Sequence, residues 1–539
     1  MSDSPRTASA WAPLRGSLFR SLWIASVVSN IGAWMEDVGE AWLITSQTSS
    51  PLIVALLQTA ESLPIFLLAL PAGALADVVD RRRLLLATQT WMCLAAAALG
   101  ILTLLDLATP PVLLVFAFTV GIATALNVPA WQALTPELVP REQLAAATAL
   151  GGVGFNIARS LGPAIGGLLV AAVGPGPVFL LNAASFLAVI YALYRWQRPV
   201  PTSVAPAERF VAAMRAGARY ALHAPSFRAV IVRTFVFIFF GSALWALLPI
   251  VARRELELTS IGYGLLLGCL GLGAIAGAVI LPSLRQRLSV EILLALATLL
   301  WAGVLIAVAF VRVLPVLCAL MLAGGMAWIT LIASFNVAAQ TAVPGWVRGR
   351  SLAVYMVAFQ GGIAAGSATW GMIANQAGIE WAMVAAAAGL PLGLLATLRF
   401  RLPTGEGLDL SPSLHWPVPL MACEPDPELG PVLVQVEYRV APESSAEFVA
   451  ALNSLETVRR RDGAYRWGLF RDIAQPDRWV ETFLVETWSE HLRQHERVTV
   501  EDKAIEERVR ALLKQGIPPV VTHLIHERYL PSLNCDDPP

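Results

Sequence analysis

The sequence predicts an all-α membrane protein of twelve transmembrane helices in two six-helix halves, followed by a small α+β, ferredoxin-like C-terminal domain. Three observations predict it. The 539-residue chain is 56% hydrophobic and only 14% charged, against about 25% charged residues in soluble domains. Twelve mostly apolar stretches precede Arg401, each near the roughly 20 residues a helix needs to cross the hydrocarbon core. Beyond Arg401 the composition turns to that of a soluble chain.

The spans fall at 19–45, 51–74, 84–105, 110–134, 145–172 and 177–195, then at 227–250, 259–282, 289–311, 315–337, 349–376 and 380–400. Helices are the natural choice for such long apolar spans, because lipid offers backbone groups no partner. The division is a tail at 1–18, a first half at 19–195, an inter-half loop at 196–226 and a second half at 227–402. A proline-rich linker at 403–430, a soluble domain at 431–530 and a tail at 531–539 complete it. Residues Met1 to Leu14 lack a charged start, an apolar run and a cleavage site, so no cleaved signal peptide is expected and the first span is the insertion signal.

Arginines set the orientation. With both termini cytoplasmic, 19 arginines up to Arg401 fall on the inner side, among them Arg81, Arg82, Arg83, Arg141 and Arg348, and only Arg253, Arg254 and Arg312 on the outer side. That bias fits a multi-pass protein of the cell inner membrane. A shift of 208 residues aligns Phe19-Arg20 with Phe227-Arg228, Gln132 with Gln340 and Pro136 with Pro344, so the halves read as a repeat. Parallel six-helix repeats place a substrate site at their interface near the midplane.

In the tail, Val432 to Val440 alternates as a strand, and Ser444 to Arg460 reads as an amphipathic helix. Tyr465 to Ile473 and Trp479 to Trp488 read as strands joined at Gln475-Pro476-Asp477, Glu490 to Lys514 as one charged helix, and Val520 to Tyr529 as a closing strand. The order β-α-β-β-α-β is ferredoxin-like.

Net charge is zero, so no nucleic-acid partner is expected. Cys93, Cys269, Cys318, Cys423 and Cys535 show neither metal spacing nor a disulfide framework. No phosphate-binding Gly-x-x-x-x-Gly-Lys-Ser/Thr loop occurs, so an ion gradient rather than ATP is the expected energy source. No cofactor and no catalytic residue is predicted. His491 and His495 share a helix face and read as solvated rather than as metal ligands.

The run Gly73-Ala-Leu-Ala-Asp77-Val-Val-Asp80-Arg81-Arg82-Arg83 resembles the cytoplasmic signature of the major facilitator superfamily, with Asp80 where glycine is usual. The resemblance makes Asp77 the acid of a cytoplasmic latch and Arg81 to Arg83 its basic side. In the fifth span, Ala158-Arg159-Ser-Leu-Gly162-Pro163-Ala-Ile-Gly166-Gly167 resembles the superfamily's antiporter motif, which marks exporters and is thought to seal the cavity against leak. Asn30-Ile-Gly32-Ala-Trp34 and the form of the Asp77 loop resemble the transmembrane secretion effector branch, which includes the enterobactin exporter. The tail resembles the antibiotic-biosynthesis-monooxygenase-like group, through its element order and Trp488-Ser-Glu-His491. That likeness implies dimerisation through the sheet and leaves a monooxygenase-like activity open.

Charges inside a bilayer are costly and line aqueous paths or pair with one another. Glu36, Asp37 and Glu40 in the first span, Glu61 in the second and Arg159 in the fifth are such charges. Glu36 or Glu61 is expected to bind a coupling proton. Arg159 would neutralise a carboxylate or meet an anionic substrate group; the tryptophans of the spans read as interfacial or packing residues, with contact to a planar aromatic substrate the alternative for Trp34 and Trp245. The alternative for the carboxylates is a structural ion pair with Arg159. The sequence thus predicts a proton-driven exporter of a small hydrophobic or siderophore-like molecule. The alternatives are a multidrug efflux pump and a transporter fused to an enzyme that modifies its cargo.

Overall fold

The computed structural model describes residues 10–196, 210–402, 409–417, 419, 421 and 425–526. The first half comprises α1 (Ser17–Gln47), α2 (Pro51–Val78), α3 (Arg81–Leu104), α4 (Pro110–Leu138), α5 (Leu144–Val173) and α6 (Pro175–Arg195). After α7 (Phe210–His223) come α8 (Pro225–Gly241), α9 (Ala243–Ile250), α10 (Ser260–Arg285), α11 (Val290–Phe310), α12 (Leu314–Thr341), α13 (Arg348–Ala377) and α14 (Ile379–Ala396). Prolines open several of these helices, at Pro51, Pro110 and Pro175, where a fixed φ suits the first turn and no hydrogen bond is lost.

Among the described residues eleven helical segments are long and apolar enough to cross a membrane, one fewer than the sequence reading. The difference is α1. Its 31 residues are ample in length, but Arg20, Glu36, Asp37 and Glu40 take it outside an apolar composition. The seventh span is one continuous segment, Pro225–Glu255, in which α8 and α9 run into a π-helical turn at Val251–Glu255.

The chain divides into two compact units. The first holds residues 1–208, 229–337 and 353–402. In it α1 packs on α5 and α6, α2 on α4, α3 on α6, and α10 on α5. The second holds residues 209–228, 338–352 and 403–539, so α7 and the segment joining α12 to α13 belong with the tail.

The tail contains β1 (Val432–Arg439), α15 (Ser445–Asp462), β2 (Arg466–Arg471), β3 (Arg478–Val485), α16 (Trp488–Arg497), α17 (Val500–Ala511) and β4 (Val520–Ile525). Its antiparallel sheet has the order β2-β3-β1-β4. Alternation along β1 sends Val432, Val434, Val436 and Tyr438 inward against Phe448 and Leu452 of α15. The single helix expected over Glu490 to Lys514 is two. Thr499 leaves the helical path and starts α17 with a capping box, its hydroxyl accepting from the Asp502 amide while the Asp502 carboxylate accepts from the Thr499 amide.

Candidate functional site

The acidic cluster of the first unit is built by α1 and α2. Glu36 and Glu40 lie one turn apart on α1 and are both buried. Glu36 accepts a hydrogen bond from the Asn182 side chain of α6, while its other carboxylate oxygen has no partner. Glu61 of α2 accepts from Gln58 at 3.1 Å. Glu36, Asp37, Glu40 and Glu61 stand near enough for their charges to repel one another. The structure therefore brings the predicted acids of α1 and α2 near one another, with Glu36 and Glu40 buried, Glu61 half-buried and Asp37 exposed. Asn182, a fully buried amide, is a member that sequence reasoning missed; its signal was a lone amide in an otherwise apolar span.

Arg159 does not join this cluster. Its guanidinium lies over the rings of Trp245 of α9 and Trp328 of α12, at 5.7 and 5.9 Å, and Nε and Nη2 have no hydrogen-bond partner. A cation held by aromatic faces is weakly stabilised compared with a carboxylate pair. This arginine of the first half thus reaches into an aromatic group of the second, where Trp328 also packs on Trp245 and Trp301. Trp34 meets Phe155 of α5 edge to face, at 6.3 Å.

The glycines of α5 explain the Gly-Pro-x-x-Gly-Gly run physically. A Cβ on Gly162 would lie 2.5 Å from Cβ of Trp34, and one on Gly166 would lie 2.8 Å from Cα of Met35, so α1 crosses at backbone distance. On the other side, a Cβ on Gly167 would lie 3.2 Å from Cα of Gly264 in α10, and the Ser260 hydroxyl donates to the Gly167 carbonyl at 2.9 Å. Pro163, inside the helix, presents its carbonyl to Gly264. The motif is thus the seam that joins α1, α5 and α10 across the two halves.

Further contacts between halves cluster at the same end. Ser50 donates to Asn375 at 2.9 Å, Arg253 donates to the Trp42 carbonyl at 3.1 Å, and the Arg253 guanidinium lies 4.7 Å from the Trp42 ring. Toward the other end of α5, by contrast, a Cβ on Gly151 or Gly152 would meet nothing within 4 Å, and Val153 and Phe155 are exposed.

The basic loop is held from several sides. Asp80 is the N-cap of α3 and accepts from the Arg83 amide at 2.9 Å. That accounts for an acid where the superfamily signature has glycine. Arg81 pairs with Glu137 of α4 at 2.6 Å, and Arg82 donates to the Leu193 carbonyl at 3.0 Å. A Cβ on Gly73 would meet nothing, and the side chain of Asp77 lies outside the described residues. Cys93, Cys269 and Cys318 are free thiols.

The tail holds a second candidate site, a cavity of about 460 Å³ between the inner face of the sheet and the helices. One wall is a buried polar network. Glu481 accepts from Tyr438 at 2.7 Å, from Trp467 at 3.0 Å and from Arg459 at 3.2 Å. Arg459 also reaches Glu506 at 3.0 Å, and Glu506 is bound by His415 and Trp416. Burial would raise the Glu506 carboxyl, but Arg459 and His415 outweigh it and hold it down at about 2. His415 and Trp416 belong to the stretch expected as linker, here bonded to α17.

The opposite wall carries His491, His495 and His523. The His491 ring lies 4.7 Å from that of His523 and 5.2 Å from that of His495. His491 is buried rather than solvated, because α16 turns this face onto β4 and the cavity. Burial and the nearby His523 push its pKa down to about 3, and burial likewise takes His495 down to about 4, so both rings are neutral at physiological pH. Among the described residues no group of three or more His, Cys, Asp or Glu side chains is placed to hold a metal ion.

Comparison with known proteins fits this architecture. The chain is 25% identical over 61% of its length to 82% of the staphyloferrin A transporter of Staphylococcus aureus. It is 26% identical over 74% of its length to 98% of the multidrug efflux pump Tap of Mycolicibacterium fortuitum, and 26% identical over 55% to 70% of the enterobactin exporter EntS of Salmonella choleraesuis. Its fold is similar to that of a bacterial homologue of the human lysosomal transporter Spinster in an inward-facing, unoccupied conformation, with a TM-score of 0.57 at 16% identity over 73% of this chain and 99% of that one. The sequence profile of the transmembrane secretion effectors matches residues 8–530, tail included, and the chain belongs to that family of major facilitator transporters.

Proposed function

We propose that the protein is a secondary active exporter of a small hydrophobic or siderophore-like molecule, driven by proton antiport through alternating access. The observation that carries this reading is the group of four neighbouring carboxylic acids, Glu36, Asp37, Glu40 and Glu61, in the first two helices of a membrane transporter. Four acids whose side-chain hydrogen-bond donors, among the described residues, are Asn182 and Gln58 cannot all stay ionised in a low-dielectric setting; sharing protons relieves their repulsion. Arg159, bound to Trp245 and Trp328, leaves that charge uncompensated and is free to meet an anionic group of the cargo.

In this reading α1 is the twelfth span, with Glu36 and Glu40 tolerated because they are buried among helices rather than turned to lipid. Both termini lie in the cytoplasm of an inner-membrane protein, with Arg81 to Arg83 as the basic side of a latch, and the tail is a ferredoxin-like unit whose β4 edge, exposed at Val520, Val521 and Leu524, offers a dimer contact. The tight seam at Gly162, Pro163, Gly166 and Gly167 then lies toward the outer side, and the open stretch around Gly151 faces the cytoplasm, a state that receives cargo from inside. Similarity to the staphyloferrin A transporter and the enterobactin exporter supports a siderophore-like cargo. A multidrug reading is favoured by the match to nearly the full length of the Tap pump.

Purified protein in liposomes loaded with a pH-sensitive dye tests the coupling. Adding cargo is expected to move protons opposite to it, and Glu36→Gln or Glu61→Gln is expected to lower that proton flux at least tenfold. Transport at wild-type rate with no proton movement would refute antiport.

A further inference from the structure

We infer that the second half carries a site for an acidic phospholipid at the membrane edge where α11 begins and α14 ends, with the buried side chain of Arg233 as its inner donor. Arg233 of α8 is 4% exposed. Its Nη1 holds Glu291 of α11, at 2.8 Å from Oε1 and 2.7 Å from Oε2. Its Nε and Nη2 have no hydrogen-bond partner. Those two N–H groups form the edge of a guanidinium that meets two oxygens of one phosphate or carboxylate in parallel. The protein thus leaves unmet the edge best suited to an oxyanion, and a buried charged donor without a partner is costly.

Depth places this edge at the membrane surface. Glu291 lies in the first turn of α11 and also accepts from the amide of Leu402, beyond the end of α14, at 3.1 Å. The guanidinium is therefore level with the ends of both helices, where the head groups of a bilayer lie. Arg287 precedes α11, Arg399 and Arg401 follow α14, and all three are exposed. This edge sets them and Arg233 against Glu291. Basic groups between and beside helix ends attract acidic lipid head groups.

Shape then selects a lipid over a free ion. Arg233 lines a narrow cleft between α8, α11, α12 and α14, whose other walls include Phe237, Leu294, Phe335, Leu390 and Leu394. Its free space is about 20 Å³, little more than the roughly 10–15 Å³ that one water needs. No whole small molecule fits. A ligand must enter by one end, an anionic oxygen or a carbon or two, and keep its bulk outside. Outside, Ile292 and Leu296 of α11 and Leu395 and Leu398 at the end of α14 are exposed apolar side chains, a surface that takes acyl chains. An ion without a tail gains nothing from that surface. The site lies within the second half, apart from the acids of α1 and α2, and stands whether or not the cargo and coupling ion proposed above are right.

The test is titration of the full chain in maltoside detergent with dioleoylphosphatidylglycerol or dioleoylphosphatidylcholine, read by native mass spectrometry and by amide exchange. Phosphatidylglycerol is expected to saturate at one tightly held lipid per chain, at least tenfold tighter than phosphatidylcholine. It should also slow exchange in the first turn of α11, which phosphatidylcholine should not. Arg233→Lys keeps a charge beside Glu291 but lacks the forked edge, so it is expected to fold and to lose most of that preference. Arg399→Gln combined with Arg401→Gln alters exposed positions only; it is expected to leave the melting temperature unchanged and to weaken phosphatidylglycerol about threefold. Equal affinity for the two lipids, or the wild-type preference in Arg233→Lys or in the double variant, would overturn the site. Displacement of phosphatidylglycerol by millimolar inorganic phosphate would overturn a lipid as its ligand, since the acyl chains would then contribute nothing.

Discussion

At the scale of single residues, the sequence exposed which side chains are unusual but not what each one touches. Glu36, Asp37, Glu40 and Glu61 stand out in any hydropathy reading, since an ionisable group in an apolar helix is costly. Their convergence depends on how α1 lies against α2 and α6, which no local pattern encodes. Arg159 illustrates the converse. Its charge suits a carboxylate or an anionic substrate group, yet packing sets it over Trp245 and Trp328. Replacing Trp245 with leucine should therefore impair transport more than it impairs folding, and a binding assay with anionic and neutral cargo separates loss of Arg159 positioning from general damage. His491 makes a pH prediction. In the unfolded chain it takes a proton near 6.5, whereas in the folded tail burial holds it near 3. Its pKa is lowered by folding, so its contribution is intact above about pH 6.5 and falls as pH drops toward 3, by up to about 1.4 kcal/mol per pH unit. Protection of β1 amides from hydrogen exchange, corrected for intrinsic rates, should decline between pH 7 and 5 in the wild type, and decline less in His491→Phe.

At the scale of elements, helices and strands were legible because their periods are strong and their punctuation is plain. Pro51, Pro110 and Pro175 mark helix starts, and the alternation from Val432 predicts the inward face of β1. The break at Thr499 was missed because charged residues run on both sides of it and hide a cap. Asp80 was read as a departure from a motif, although it begins α3. Asp80→Ala should cost about 1 kcal/mol, the usual worth of such a cap, measured as a lower melting temperature with the span still inserted. The α5 seam makes a sharper prediction. Gly264 faces the Pro163 carbonyl and Cα of Gly167, so Gly264→Leu must push α10 from α5. Overpacking of this kind costs about 1–3 kcal/mol, and cross-linking yield between cysteines at Ala164 and Gly268, where a Cβ on Gly268 would lie 3.5 Å from that of Ala164, should fall with it.

At the scale of the whole molecule, a multi-pass helical chain was legible because crossing a membrane imposes long apolar spans on composition. The membership of α7 and residues 338–352 in the tail unit was not, since that grouping rests on long-range contacts such as Arg219–Glu490 and Arg497–Trp346. If the halves rock about the α5–α10 seam, the contact between Ser50 and Asn375 must open in each cycle. A disulfide between cysteines placed at those two positions should stop turnover, with recovery on reduction. The central claim is that the acids of α1 and α2 couple proton entry to export. Accumulation of siderophores and lipophilic dyes in inside-out vesicles under an imposed proton gradient measures it most directly. The account predicts uptake of at least one compound that an uncoupler collapses and that Glu36→Gln reduces at least tenfold. Uptake that persists without a gradient, or that Glu36→Gln and Glu61→Gln leave at the wild-type level, would contradict it.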